Sequence, residues 1–294
     1  MACPFRLPNN PRSNGIRTLP EAQATSSIWI PPIGPLGELT ALSEVAVRLG
    51  RDSLRELEKA AAASALPPSF SAALRGADVR VIAELKRRSP SKGDINLAMD
   101  LGVRAVDYTG GGAVALSVLT EPTRFGGSLQ DLETVRRVVN VPLLRKDFIV
   151  DVLQLLQARA AGASAVLLIA RALHPDRFLA LAAEAQALAL DVLLEVRSEE
   201  ELERALGVPH AVIGINNRNL ETLAIDDAVS EHLLPRIPRD RLAVYESGIT
   251  DRTGVERAAA LGANAVLVGS ALSASSNPMA AVAALTGVTR DDRG

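Results

Sequence analysis

The sequence predicts an α/β protein folded as a single closed (β/α)8 barrel, the TIM-barrel architecture, preceded by an N-terminal helical extension. Three observations lead there. Short β-branched runs alternate with longer Ala/Leu/Arg/Glu-rich segments of helical period from Val79 onward, the pattern of repeated βα units. About eight such runs fit into about 220 residues, the content of a barrel in which each parallel strand feeds a helix. The loop after the first run reads KRRSPSKG and lacks the G-x-G-x-x-G that a doubly wound open sheet usually carries there.

Taken in order, residues 1–27 are rich in Pro, Asn, Ser and Arg, with no acidic residue before Glu21. They read as a disordered tail; a transit peptide would share that composition, so the compartment is the cytoplasm, or an organelle if residues 1–27 are such a peptide. The expected divisions are a tail over residues 1–30, a helical extension over 31–68 and the barrel over 69–290. WIPPIGPLG (29–37) is too rich in Pro and Gly for regular structure. Glu38 to Ala65 has the period of one or two leading helices, which Pro67 and Pro68 should stop. A short amphipathic piece, Ser69 to Arg75, leads into the barrel.

The runs are VRVIAEL from Val79, AVALSVL from Ala113, VPLLRK from Val141, SAVLLIA from Ser164, DVLLEV from Asp191, AVIGINN from Ala211, RLAVYES from Arg241 and NAVLVGS from Asn264. Helices are expected between them, for example over Leu129 to Val139, Asp151 to Ala161, Asp176 to Leu188 and Glu199 to Leu206. Gly-Ala precedes both Ala165-Val166 and Ala265-Val266, a repeated phrase that suggests repeated units.

Composition narrows the function. At 294 residues with 48% hydrophobic content the chain can bury a full core. A net charge of -2 and a pI near 6.0 argue against a nucleic-acid partner, since phosphate-backbone affinity needs a concentrated basic surface. The single cysteine, Cys3, excludes an intrachain disulfide framework and a multi-Cys zinc site. His174, His210 and His232 are scattered without metal-ligand spacing, so no metal is expected. No apolar run approaches the roughly 18 residues of a membrane span, and no membrane partner is expected.

In a barrel the active site lies where the strands end, and polar residues gather there. Glu84 and Lys86 close the first run, Arg145, Lys146 and Asp147 the third, and Glu195 the fifth. Asn216, Asn217, Arg218 and Asn219 follow the sixth, Glu246 and Ser247 the seventh, Gly269 and Ser270 the eighth. Residues two apart share a strand face, so Ile82, Glu84 and Lys86 point one way, as do Leu144 with Lys146, Leu193 with Glu195, Gly214 with Asn216, and Val244 with Glu246. A single acid and base at a strand end would be an ordinary ion pair. Several strands ending alike point to a site, because buried charge needs compensation. ESGI (246–249) and VGSAL (268–272) place Ser and Gly just past the last two strands, where free backbone N–H groups can hold a phosphate.

The stretches AELKRRSPSKG (83–93), SVLTEPTRFGGS (117–128), PLLRKDFIVD (142–151), ARAAGASAVLLI (158–169), LLEVRSEEEL (193–202), IGINNRNLET (213–222), ESGI and VGSAL resemble, in family order, the indole-3-glycerol phosphate synthases of tryptophan biosynthesis. The resemblance covers about Leu66 to Leu272. It implies a carboxy-lyase that closes 1-(2-carboxyphenylamino)-1-deoxyribulose 5-phosphate to indole-3-glycerol phosphate, losing carbon dioxide and water without a cofactor. It implies Lys146 as general acid, Glu195 as a second acid/base group, and Glu84 and Lys86 as a charged pair, with Lys86 holding the substrate carboxylate or assisting dehydration. Asn216, Arg218, Glu246 and Ser247 match polar pairs after strands six and seven. Phosphate contacts fall to Ser89, Gly248, Gly269 and Ser270, and Phe125 and Phe148 match aromatic positions near the anthranilate ring. Partners would be the phosphorylated substrate and other tryptophan-pathway enzymes.

Two alternatives stay open. An isomerase barrel acting on a phosphoribosyl amine would share the phosphate motifs but not both LRKDF and LLEV. A non-catalytic phosphosugar-binding barrel would lack the acid/base residues. The leading segment matches the family loosely, and Tyr245 stands where a smaller residue is usual, with a parity that turns it toward the helices. The loop Arg87 to Gly93 is a candidate lid.

Overall fold

The computed structural model describes residues 29–290, and the compact unit that carries the fold begins at Pro31. The tail expected over residues 1–27 lies outside the described residues. Every β-branched run forms a parallel strand: β1 (Arg80–Leu85), β2 (Ala115–Leu119), β3 (Leu143–Lys146), β4 (Ala165–Ile169), β5 (Asp191–Val196), β6 (Val212–Asn216), β7 (Ala243–Glu246) and β8 (Ala265–Val268). Each pairs with its sequence neighbours, and β8 pairs with β1, Ala83 beside Val268, so the sheet closes. Ile82, Leu144, Leu193 and Val244 share the face that ends polar, while Val81, Ala83, Ile213 and Ile215 lie on the other; all are buried. Burial on both faces is why these runs read as continuous apolar stretches.

Two helices, α1 (Gly34–Gly50) and α2 (Leu54–Ala63), and the single turn α3 (Phe70–Ala73) precede the barrel. The helices that alternate with the strands are α4 (Leu101–Gly110), α5 (Leu129–Val138), α6 (Val152–Ala160), α7 (Pro175–Ala187), α8 (Glu199–Leu206), α9 (Ala228–Leu233) and α10 (Arg252–Ala260), with α11 (Ser270–Ser273) and α12 (Pro278–Ala283) after β8. Caps start them where the sequence offers one. The side chains of Asp100, Ser128, Asp151, Ser198 and Asp251 each accept a hydrogen bond from a first-turn N–H, satisfying donors that the helix leaves free.

The repeated Gly-Ala phrase is a repeated joint. Gly162 and Gly262 take φ of +84° and +78°, ending α6 and α10 in a conformation that costs a side chain energy. The next residues but one, Ser164 and Asn264, accept the N–H of Leu143 and Ala243 and so tie each arriving strand to its predecessor.

The segment ahead of the barrel departs from expectation. Helix α1 begins at Gly34, inside the Pro/Gly-rich stretch expected to be irregular. Pro35 sits in its first turn, where no intrahelical N–H is needed, and tertiary bonds hold that end: Leu36 N–H donates to Leu220 O at 3.1 Å and Ile33 N–H to Glu221 Oε1 at 2.9 Å. The second helix ends at Ala63, before the prolines, where Ser64 turns extended and Arg159 donates to the Ser64 and Ala65 carbonyls. Leu36 and Leu39 on α1 are buried against the barrel, each contributing about 1.5–3 kcal/mol. Arg124, on the loop after β2, pairs with Glu38 of α1 at 2.6 Å. Beyond β1 the expected lid folds as a small antiparallel ribbon, Arg88–Ser89 against Gly93–Asp94. No helix among the described residues is long and apolar enough to cross a membrane.

Candidate active site

A cavity of about 210 Å³ opens at the C-terminal ends of the strands. Thirteen of the fourteen residues singled out from sequence line it: Glu84, Lys86, Ser89, Phe125, Lys146, Phe148, Asn216, Arg218, Glu246, Ser247, Gly248, Gly269 and Ser270. The fourteenth, Glu195, is buried behind Lys146 and lines a second, smaller cavity instead. Helix α1 supplies Pro35, Leu36 and Leu39 to the main wall, residues that the sequence does not flag because the leading segment matches the family loosely. The three histidines are exposed, with His232 pairing with Glu199 at 2.6 Å, and no cluster of His, Cys, Asp or Glu among the described residues could hold a metal.

Lys146 is the hub of the polar cluster. Its Nζ lies 3.6 Å from Glu195 Oε2 and 3.5 Å from Glu246 Oε2. Lys86 Nζ lies 2.7 Å from Glu84 Oε1. Burial alone would push the Lys146 ammonium down, but Glu246, Glu195 and Glu84 outweigh it and raise its pKa, so Lys146 stays charged. For Glu84, burial raises, but Lys86 and Lys146 prevail and hold the carboxyl below its usual range. Glu246 goes the other way: burial, with Glu195 and Glu84 nearby, outweighs Lys146 and pushes it up to about 8. Neither Glu246 oxygen accepts a hydrogen bond. Three carboxyl groups share two lysines, and Glu246 keeps its proton.

This arrangement carries a pH signature. The folded protein holds a proton on Glu246 from pH 4.5, where the unfolded chain loses it, up to about 8. Across that window the native state binds more protons, so stability falls as pH rises, with a limiting slope of about 1.4 kcal/mol per pH unit. Glu84, shifted downward, acts below the window. Urea unfolding at pH 5.5 and 7.5 should show the loss in wild type and a smaller loss in Glu246→Gln; equal losses would contradict the assignment.

Around the hub, Asn216 Oδ1 accepts from Ser247 Oγ at 2.8 Å and from Arg218 N–H at 2.9 Å, fixing the ends of β6 and β7 together. Ser247 holds a φ of +68°, a conformation that costs a non-glycine residue about 1–3 kcal/mol and persists where the surroundings enforce it. Arg145, of opposite parity, pairs with Asp147 at 2.8 Å outside the hub. Tyr245 is buried on the helix side and donates to Asp227 at 3.1 Å. At the aromatic end, the Phe125 and Phe148 rings lie 6.3 Å apart, tilted by 38°.

Sequence reasoning misses Gly214 and Glu121, and it reads Gly269 only as a phosphate contact. A Cβ at Gly214 would overlap Glu246 Oε1, and one at Gly269 would overlap Glu84 Oε1 and stand 3.0 Å from Lys86 Nζ. These glycines make room for carboxyl and ammonium groups of neighbouring strands, which the strand register dictates and single-strand parity does not show. Glu121 is buried and its carboxylate accepts from the N–H of Thr123, Arg124 and Phe125 and from the Thr123 hydroxyl. Its place in TEPTRFGG is the available signal. Glu121→Ala should let the Phe125 loop drift and raise KM roughly tenfold, equivalent to about 1.4 kcal/mol, with kcat less affected. An unchanged KM in steady-state assay would count against that role.

Comparisons with known proteins identify the family. Residues 39–285 match the family model "Indole-3-glycerol phosphate synthase". A protein of that name from Nocardioides sp. (strain ATCC BAA-499 / JS614) is 48% identical over 245 residues, covering 83% of this chain and 94% of the relative. Another from Paenarthrobacter aurescens (strain TC1) is 47% identical over 240 residues, covering 80% and 88%. Among solved structures, 3-hexulose-6-phosphate synthase from Salmonella typhimurium superposes with a TM-score of 0.56 at 15% identity, over 70% of this chain and 96% of that one, a likeness of fold alone. With the family model spanning most of the chain and the relatives matched along nearly their whole length, the chain belongs to the indole-3-glycerol phosphate synthase family.

Proposed function

We propose that this chain closes the indole ring of 1-(2-carboxyphenylamino)-1-deoxyribulose 5-phosphate, releasing carbon dioxide and water, with Lys146 as the general acid. Family membership supports the reaction, and the observation that carries the roles is the placing of Lys146 between Glu195 and Glu246 at the mouth of the barrel. In this reading the carboxyphenyl ring lies against Phe125 and Phe148 beneath α1. The phosphate takes donors from Ser89, Gly248, Gly269 and Ser270. Ser89 Oγ accepts from Lys92 N–H at 3.2 Å, which leaves its own hydrogen free to donate. Anchored at both ends, the chain bends so that the ring carbon meets the ketone, an entropic gain that needs no chemical group.

The aniline nitrogen pushes electrons to that carbon, so the chemistry calls for no cofactor. As the new carbon–carbon bond forms, Lys146 protonates the ketone oxygen; loss of carbon dioxide then restores the aromatic ring. Dehydration needs an acid for the departing hydroxyl and a base for the methylene proton, roles we assign to Lys86 and, through an intervening water because Lys146 stands between it and the main cavity, to Glu195, with Glu84 orienting Lys86. Asn216 and Arg218 hold the polar edge of the substrate, and Glu246 and Ser247 complete that side. The enzyme would work in the cytoplasm beside other enzymes of tryptophan biosynthesis.

The deciding assay mixes purified protein with the carboxyphenylamino substrate and follows indole fluorescence. A folded protein that binds the substrate and makes no indole product would overturn the reading.

A further inference from the structure

The proposed ring closure does not balance its protons within the site. One proton goes to the ketone oxygen and a second to the hydroxyl that leaves as water, while one comes back from the methylene carbon. The substrate carboxylate departs as neutral carbon dioxide, so one proton is taken up from outside in every turnover. This requirement rests on the synthase reading. When substrate fills the main cavity beneath α1, the proton has to arrive from another side.

A second cavity, of about 140 Å³, adjoins the first. Leu36, Ile169 and Leu220 line both and form the partition between them. The far wall is polar, with Glu195, Arg197, Glu201, Arg171 and Glu221. Of the candidate acid/base groups, Glu195 alone belongs to this wall rather than to the main cavity. Its Oε2 is buried, accepts no hydrogen bond and lies 3.6 Å from Lys146 Nζ. Glu201, in the first turn of α8, is half-buried between that wall and solvent. Burial raises its carboxyl above the ordinary range, against the opposing hydrogen bonds from the N–H groups of Arg197 and Ser198 and the charges of Arg204 and Arg171. A volume of this size has room for a few water molecules, and the charged side chains on the far wall offer them hydrogen bonds.

The geometry points to this second cavity as the proton-uptake port of the site, with Glu201 feeding Glu195 through cavity water. Once Lys146 has given its proton to the ketone oxygen, cavity water carries a proton from the Glu201 carboxyl to Glu195, which hands it to the Lys146 amine and is a carboxylate again before dehydration begins. Dehydration then moves one proton from the methylene carbon to Glu195 and one from Lys86 to the hydroxyl; the proton on Glu195 makes good the loss from Lys86 once the product leaves, and Glu201 is recharged from solvent. Only protons move; no electrons or heavy atoms change place. Glu201 acts through Glu195 and touches no substrate. It also closes the cap of α8, where Arg197 N–H donates to its Oε2 at 2.7 Å and its own N–H reaches Ser198 Oγ at 3.2 Å. A helix cap needs an acceptor but no proton, and that difference is the basis of the test.

Glu201→Gln keeps the acceptor and removes the proton. The expected result is a kcat lower by roughly tenfold, short of the ~100-fold or more expected of a group that transfers a proton directly. KM and Tm should stay at wild-type values, the solvent deuterium isotope effect on kcat should rise, and added imidazole buffer should restore kcat. Glu201→Asp, which keeps a titratable proton, should retain most of the wild-type kcat. A Glu201→Gln enzyme with wild-type kcat and isotope effect overturns the port, as does a loss that tracks a lowered Tm and is not rescued by imidazole. A folded wild type that makes no indole product overturns both the port and the synthase reading, so the two failures are distinguishable.

Discussion

Replacing Lys146 by alanine is expected to lower kcat by roughly 10²- to 10⁴-fold, the range for loss of a positioned proton donor, and to leave KM within about threefold. Neighbouring carboxylates hold the Lys146 ammonium charged, and in the proposed mechanism its interaction with the ketone oxygen would strengthen as that oxygen becomes an alkoxide. In the proposed reading other residues anchor the phosphate and the ring, so ground-state binding should survive. Removing one partner of a buried ion pair often costs about 3–5 kcal/mol because a charge is left behind. Here Glu246 already keeps its proton up to about 8, so the cluster can absorb the loss and Tm should fall only modestly. Lys146→Arg should not rescue turnover, since a guanidinium does not give up its proton at any assay pH. Steady-state fluorescence assay with separate measurement of substrate-analogue binding checks the split. A Lys146→Ala enzyme retaining more than about a tenth of wild-type kcat would remove Lys146 from the acid role.

Most of this site is legible in the amino-acid sequence, for a physical reason. A barrel strand has period two and both faces buried, so a polar residue at its C-terminal end on the inward parity is conspicuous, as Lys146 and Glu246 are. Contacts that depend on the register between strands are not legible. Gly214 reads in sequence as one weak residue in a strand, and only pairing with Val244, two residues before Glu246, gives it a purpose. The start of α1 is hidden because proline and glycine signal a loop locally, while bonds to Leu220 and Glu221, far along the chain, decide the outcome. Glu195 reads in sequence as facing the substrate. Its parity is right, but parity does not say which of two adjoining cavities a side chain meets.

Gly214→Ala is expected to lower kcat by roughly 100-fold, the scale of effect when a reacting group is displaced by about 1 Å. It should also destabilise the fold by about 1–3 kcal/mol, as overpacking of a close-packed core does. The added methyl would overlap Glu246 Oε1 and stand 3.2 Å from Leu193 Cδ1. Glu246 is buried at the wall of the main cavity with Lys146 3.5 Å away, so a carboxyl pushed off β6 changes its place against Lys146 and disturbs the hub. If that is the cause, the two positions are coupled. In a Glu246→Ala background the methyl at position 214 meets no carboxyl, and Leu193, a side-chain tip, can rotate aside. Gly214→Ala should then cost under about 1 kcal/mol, giving a coupling free energy of more than about 1 kcal/mol between positions 214 and 246. Urea unfolding of the four proteins in the cycle measures it at fixed pH, below 8 so that Glu246 stays protonated. Additivity within about 0.5 kcal/mol would show that Gly214 serves backbone geometry alone and that room for the Glu246 carboxyl is not its function.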